Sequence, residues 1–172
     1  GGRALRGTPA WVARRRIDKI GFCRNLPCMS ESRPSHLTIM TPAARLLGRE
    51  WLDCDRTTGV SRSRFHAPPE FANRHGTVHG GFLAAMLDSA AGLAVLDTLP
   101  SELSMVTARL DTEYLKPAPV GAFEASARVA ARDERNVFID AELATPDGTI
   151  VARARATMRI VKRRNSQAGR TA

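Results

Sequence analysis

The chain has 172 residues, which suits one domain with a real hydrophobic core and some chain left over. Its formal charge of +9 is confined to the ends: residues 1–28 carry a net +6 and the last eleven a net +4, leaving −1 for residues 29–161. A nucleic-acid-binding domain is therefore not expected, because basic tails attract polyanions only weakly and in a salt-dependent way. No run reaches the ~20 apolar residues of a membrane span. The three cysteines, Cys23, Cys28 and Cys54, have no metal-binding spacing and read as free thiols of a reducing, cytoplasmic compartment.

Residues 1–35 read as a disordered basic leader with no role in chemistry. No apolar core follows Arg14–Arg16, which excludes a secretory signal. An organelle transit peptide fits this composition. So does translation from an upstream start, with the native start at Met29 or Met40, and the polar stretch MSESRPSHLT favours that reading. The domain is expected over residues 36–161, and residues 162–172 read as a basic tail.

Within the domain, Thr41–Pro42 reads as an N-cap followed by proline at the first helical position, with a short helix to Leu47 ended by Gly48. Glu50–Asp55 and Val60–His66 are predicted as strands around a turn at Thr57–Gly59, and Pro68–Pro69 breaks the second. Phe71–His79 is predicted as loop. Phe82–Leu96 is predicted as a helix, rich in Ala and Leu and apolar nearly all round, so it must be largely surrounded.

Four strands follow: Met105–Leu115, Ala122–Ala131, Val137–Ala144 and Ile150–Val161, each alternating between an apolar and a polar face. In the first, Val106, Ala108, Leu110, Thr112 and Tyr114 fall on one face and Thr107, Arg109, Asp111 and Glu113 on the other. The sum is an α+β domain, a curved antiparallel sheet wrapped around one long helix.

The chemistry-bearing stretch is Asn73 to Asp97. Its loop holds Asn73, His75, Gly76, His79, Gly80 and Gly81, and its helix holds one mid-helix carboxylate, Asp88. Serine-hydrolase, phosphate-loop and dinucleotide signatures are absent. His75 and His79 flank Gly76 in a loop with no third ligand in view, so no metal is expected. Glycine N–H groups at a helix start can polarise a carbonyl, and a carboxylate in an apolar helix can act as base or nucleophile. Asp88 could equally cap a backbone group or pair with an arginine.

The pattern Asn73-x-x-Gly76-x-x-His79-Gly80-Gly81, with Asp88 seven residues on, resembles the hotdog-fold acyl-CoA thioesterases, most of all the phenylacetate-pathway (PaaI-type) branch. Tyr114 and Pro117 match the Y-x-x-P strand end of that family. The resemblance covers residues 40–161 and implies the following roles. Asp88 is general base or nucleophile; Gly80, with Gly81 as second candidate, polarises the thioester carbonyl; Asn73 and Thr107 orient water or thioester. His79 braces the loop and meets the thioester. Ala84, Ala85, Ala91 and Gly92 leave room for the acyl chain. Arg128, Arg132 or the Lys162–Arg164 cluster would meet the coenzyme A phosphates.

It further implies sites shared between two subunits, with dimers paired into tetramers, and no cofactor beyond the coenzyme A of the substrate. The acyl group, aryl or medium- to long-chain fatty, is left open. A hotdog domain that binds acyl-CoA without hydrolysis is the alternative. A hydratase is disfavoured because no second Asp–His pair is present.

Overall fold

The computed structural model describes residues 40–55, 57–96, 98–100 and 102–163. The leader, with Cys23 and Cys28, and Arg164 onward lie outside the described residues. The elements are α1 (Pro42–Leu46), β1 (Glu50–Asp55), β2 (Val60–Ala67), a 3-10 turn (Pro69–Phe71), α2 (Gly80–Leu96), β3 (Leu103–Tyr114), β4 (Gly121–Arg132), β5 (Asn136–Ala144) and β6 (Ile150–Lys162). The strands form one antiparallel sheet in the order β1-β2-β4-β5-β6-β3.

Local signals account for the first elements. The Thr41 side chain accepts from the Ala44 N–H at 3.2 Å, and Pro42 opens α1. Such a cap is worth ~1 kcal/mol. Gly48 ends the helix at φ 57°, and a Cβ there would come within 2.9 Å of His66 Cβ, so both the backbone and the neighbour require glycine. The chain then enters β1 with the Leu47 carbonyl accepting from the His66 N–H of β2.

Strands β2, β4, β5 and β6 present their small and apolar residues to α2. Phe65, Phe123, Ile139 and Leu143 are fully buried, as are Ala152 and Ala156. Alanines along β4 and β6 let the sheet close on a helix that buries nine of its 17 residues. The helix packs against β2 through β6. What stays open on α2 is a stripe that includes Gly81, Ala85, Asp88 and Ser89. Among the described residues no helix is long and apolar enough to cross a membrane.

Among the boundaries that depart from the sequence reading, three bear on the site or the charge distribution. Helix α2 begins at Gly80 rather than Phe82, because loop residue His79 caps it. The Pro68–Pro69 break becomes a 3-10 turn. Lys162 is the last residue of β6 and so belongs to the sheet rather than to a tail, and the Arg163 N–H after it donates to the Glu102 carbonyl, just ahead of β3, at 2.8 Å.

A fourth departure concerns faces. β3 slips register against β6 between Thr107 and Arg109, leaving Ala108 as the extra residue of a bulge. Thr107 lies opposite Met158, which is buried under the helix, whereas Arg109 lies opposite Thr157. Leu103, Met105 and Thr107 therefore face α2 before the bulge, and Leu110 and Tyr114 face it afterwards. The uninterrupted alternation expected for this strand, which separated Thr107 from Leu110, does not hold.

Two of the tight turns are stapled by aspartates. Asp133 Oδ1 accepts from the N–H groups of Arg135 (2.8 Å) and Asn136 (2.7 Å), and these bonds hold its carboxyl below the ordinary 3.8. Asp147 is depressed likewise by Thr145 and Thr149. A depressed folded-state pKa contributes stability that is complete above the unfolded value and is lost as pH falls through the folded one. The Asp133→Ala variant should therefore show a lower urea midpoint than wild type at about pH 6, with the gap closing as the pH is taken below the ordinary carboxylate value. Urea titrations across that range measure it.

Candidate active site

The loop before α2 is held from three sides. Gly76 adopts φ 76°, and Asn73 closes the turn around it: its backbone N–H donates to the Thr77 carbonyl (2.8 Å) and its carbonyl accepts from the Gly76 N–H (3.0 Å). The Asn73 side chain works on the same turn, with Oδ1 accepting from the His75 N–H at 2.8 Å and Nδ2 donating to Thr77 Oγ1 at 3.0 Å. Within one chain Asn73 thus holds the loop, and its amide is not brought to Asp88. The Val78 N–H donates to the Ala118 carbonyl, fastening the loop to the β3–β4 connection. Phe71 stacks on Phe82 of the helix with ring centroids 3.7 Å apart.

His79 caps α2 unusually: its Nδ1 accepts from the Gly81 N–H at 3.1 Å. An accepting Nδ1 is unprotonated, which in a neutral ring leaves the proton on Nε2. The Gly81 N–H is therefore engaged, and it is not available to a carbonyl while this bond stands. The Gly80 N–H is different. Among the described residues it meets no acceptor, as befits the first residue of a helix. Tyr114 of β3 lies over this glycine, its hydroxyl donating to the Gly80 carbonyl at 2.9 Å. A Cβ on Gly80 would sit 3.1 Å from the tyrosine ring, so the contact depends on glycine. The free donor is aimed by a clamp rather than left to fray.

Two turns further on, Asp88 Oδ1 accepts from the Thr107 hydroxyl at 2.7 Å. The bulge at Ala108 is what turns Thr107 toward the helix. The carboxylate and the threonine border a cavity of about 190 Å³, which is also lined by Ser89, Gly92, Met105, Met158 and Arg49. Arg49, from the residue before β1, donates through Nη1 to Ser89 Oγ at 3.1 Å. Residues from the two sides of the sheet, Arg49 just before β1 and Met105 and Thr107 of β3, thus line one cavity on the open side of α2.

Of the residues expected at the site, Asp88, Thr107 and Gly92 are brought together. Gly80, Gly81 and His79 form a second group at the helix start. Ala85 is exposed, one turn before Asp88, whereas Ala91 is fully buried and belongs to the core rather than to the cavity. Arg128 lies on the outer face of the sheet, between inward-facing Ala127 and Val129 and paired in register with Asp140, so the sheet separates it from Asp88 of the same chain. Arg49, Ser89, Met105 and Met158 were not foreseen. Ser89 was visible as the polar neighbour of Asp88. Arg49 had no local signal, because its place depends on how β1 closes against the helix. Among the described residues no group of three or more His, Cys, Asp or Glu side chains could hold a metal ion.

The architecture and this motif agree with the comparisons to known proteins. The profile of the Thioesterase superfamily matches residues 75–152. A crystal structure of a phenylacetic acid degradation-related protein from Ralstonia eutropha JMP134 is 35% identical. That match covers 69% of this chain and 90% of the other, with a TM-score of 0.66. A Halobacterium salinarum protein named as an esterase is 34% identical over 119 residues, covering 63% of this chain and 78% of its own. A Bacillus halodurans protein crystallised with CoA is 28% identical, covering 58% of this chain and 66% of that one, with a TM-score of 0.56. The chain belongs to the hotdog-fold thioesterase superfamily, and it is similar to phenylacetate-related members of that superfamily.

Gly92 separates stability from site volume. An added Cβ would lie 3.3 Å from Met105 Cε, the movable end of a flexible side chain. Gly92→Ala should therefore gain ~0.5–1 kcal/mol from helix propensity while shrinking the cavity beside Asp88. Thermal unfolding should show a Tm raised by a few degrees; a lowered Tm would mean that Met105 cannot yield.

Proposed function

We propose that the protein is an acyl-CoA thioesterase whose active site forms between two copies of the chain. The observation that carries this reading is the Asp88–Thr107 pair at the edge of an otherwise largely apolar cavity, with an unpaired Gly80 N–H at the start of the same helix. The family is one of thioesterases, and a relative has been crystallised with CoA.

In this reading the thioester carbonyl oxygen rests on the Gly80 N–H, which strengthens its hydrogen bond as the oxygen becomes negative. Asp88 takes a proton from a water molecule as that water attacks the carbonyl carbon, and the CoA thiolate departs and is protonated. Thr107 keeps the carboxylate in one orientation. Direct attack by Asp88 on the thioester, with later hydrolysis of the anhydride, uses the same placement.

Geometry supports two copies. Gly80 and Asp88 are eight residues apart on one helix, a separation of ~12 Å, too far for both to grip one carbonyl. β3 is an edge strand of 12 residues with Val106 and Tyr114 about half exposed and Leu115 beyond its end also exposed. A long edge strand with exposed apolar side chains toward both ends invites pairing with another chain. A two-fold pairing of β3 with β3 would bring one chain's Gly80 loop toward the other's Asp88.

Thiol release from a panel of aryl- and fatty-acyl-CoAs tests the reaction. Asp88→Asn should lower kcat by ~10²–10⁴, and equal rates for the two proteins would remove Asp88 from the chemistry. Binding of acyl-CoA with no release by wild type would identify a carrier instead. The edge strand is tested separately. Val106→Asp puts a charge on this exposed apolar edge and should shift the mass in light scattering to that of a monomer, with activity lost in parallel. An active monomer would contradict the shared site.

A further inference from the structure

We infer that two copies of the chain join β3 to β3 in one register, with Asp111 on the two-fold axis, and that this register lays the Tyr114 of one copy against the Thr107 of the other. The inference rests on the shared-site reading above. It adds the register of the contact and makes Tyr114 a residue of the shared site.

Three constraints select the register, and the first is symmetry. For one copy's Gly80 to meet the other's Asp88, both helices must lie on the same side of the joined sheet. The axis then runs perpendicular to that sheet. Opposed residues in an antiparallel pair share a face. The axis therefore falls on one residue of β3, and moving it by one residue shifts every opposed pair by two.

The second constraint is the site. Within each chain Tyr114 holds the Gly80 carbonyl and Thr107 holds the Asp88 carboxylate. Bringing Gly80 to the other copy's Asp88 sets Tyr114 opposite Thr107. Counted along β6, Thr107 stands opposite Met158 and Tyr114 opposite Ala152, and the residue midway is Asp111, opposite Arg155. The bulge at Ala108 makes this possible, because it brings Thr107 and Tyr114 onto the same face.

The third constraint is the exposed edge. Val106 and Leu115 are large apolar side chains exposed on the outer face. Val106 stands opposite Arg159, and the Leu115 N–H donates to the Val151 carbonyl at 2.8 Å. They are equally far from Asp111 on either side, so the same axis sets Val106 against Leu115 at both ends of the contact. It also sets Arg109 against Glu113, and opposite charges across a strand pair are favourable.

The neighbouring registers do worse. An axis on Leu110 sets Arg109 against Asp111, but it puts Glu113 against Val106 and moves Tyr114 past Thr107 to Met105. An axis on Thr112 sets Asp111 against Glu113. The inferred register brings two Asp111 carboxylates together. They lie on the exposed face, and each is bound to its own Arg109 at 2.8 Å.

Engineered cysteines read the register directly. Opposed residues have Cα atoms ~4.5–5.5 Å apart, within disulfide reach, and the next pair on the same face lies beyond it. Under mild oxidation the Val106→Cys, Leu115→Cys double variant should link those two positions between chains. Peptide mapping by mass spectrometry separates this link from any made by the chain's own three cysteines. Asp111→Cys should link to itself, and Leu110→Cys should not. The linked double variant should hydrolyse acyl-CoA at the rate of its reduced form. A self-link at Leu110→Cys in place of Asp111→Cys would overturn the register and leave the shared site standing. So would a linked but inactive double variant, or a dimer in light scattering with no link at these positions. A monomeric, active wild type would remove the shared site and the register together.

Discussion

A carboxylate on the open stripe of a largely buried helix is held in one orientation only if a group outside the helix binds it. Here that group is the Thr107 hydroxyl, 2.7 Å from Asp88 Oδ1. Much of the site's geometry follows from making that bond. Thr107 reaches inward because β3 bulges at Ala108, and the bulge lets Leu110 and Tyr114 also face the helix. Tyr114 then reaches the Gly80 carbonyl and fixes the helix start. One irregularity in one edge strand thus positions both the carboxylate and the N–H donor, two turns apart on α2.

The remaining sheet serves as a mould. Small residues on β4 and β6 bring the strands close to α2. Arg49 from just before β1 and Met105 from β3 line a cavity on its open stripe that neither side forms alone. The loop ahead of the helix is rigid for a different reason: its polar groups are largely consumed internally, by the Asn73 turn and by the His79 cap. That consumption narrows the oxyanion candidates from two glycines to one.

Much of this was legible in the residues. Thr41, Pro42 and Gly48 mark α1 because capping is local. The strands from Val137 and Ile150 show their faces because small or apolar residues alternate with polar ones over a long run. Asp88 stands out because a charge inside such a helix requires a reason. Other features could not be read. The bulge at Ala108 is a property of the pairing between β3 and β6, so Thr107 was assigned to the face of Arg109. The engagement of Gly81 depends on a histidine rotamer. Arg49 enters the cavity through tertiary closure and looks from the sequence like any surface arginine.

The account turns on a site shared between two chains, and mixed oligomers test it most directly. One chain carries Asp88→Asn; the other carries Gly80→Pro, which removes the N–H and, through its added side-chain atoms, also displaces the Tyr114 clamp, so that the loop half of the site is disabled. Each variant alone should be nearly inactive. If loop and carboxylate come from different chains, every mixed dimer holds one intact site, and random mixing should restore about a quarter of wild-type activity. A mixture as inactive as its parents, with exchange of chains verified, would contradict the shared site.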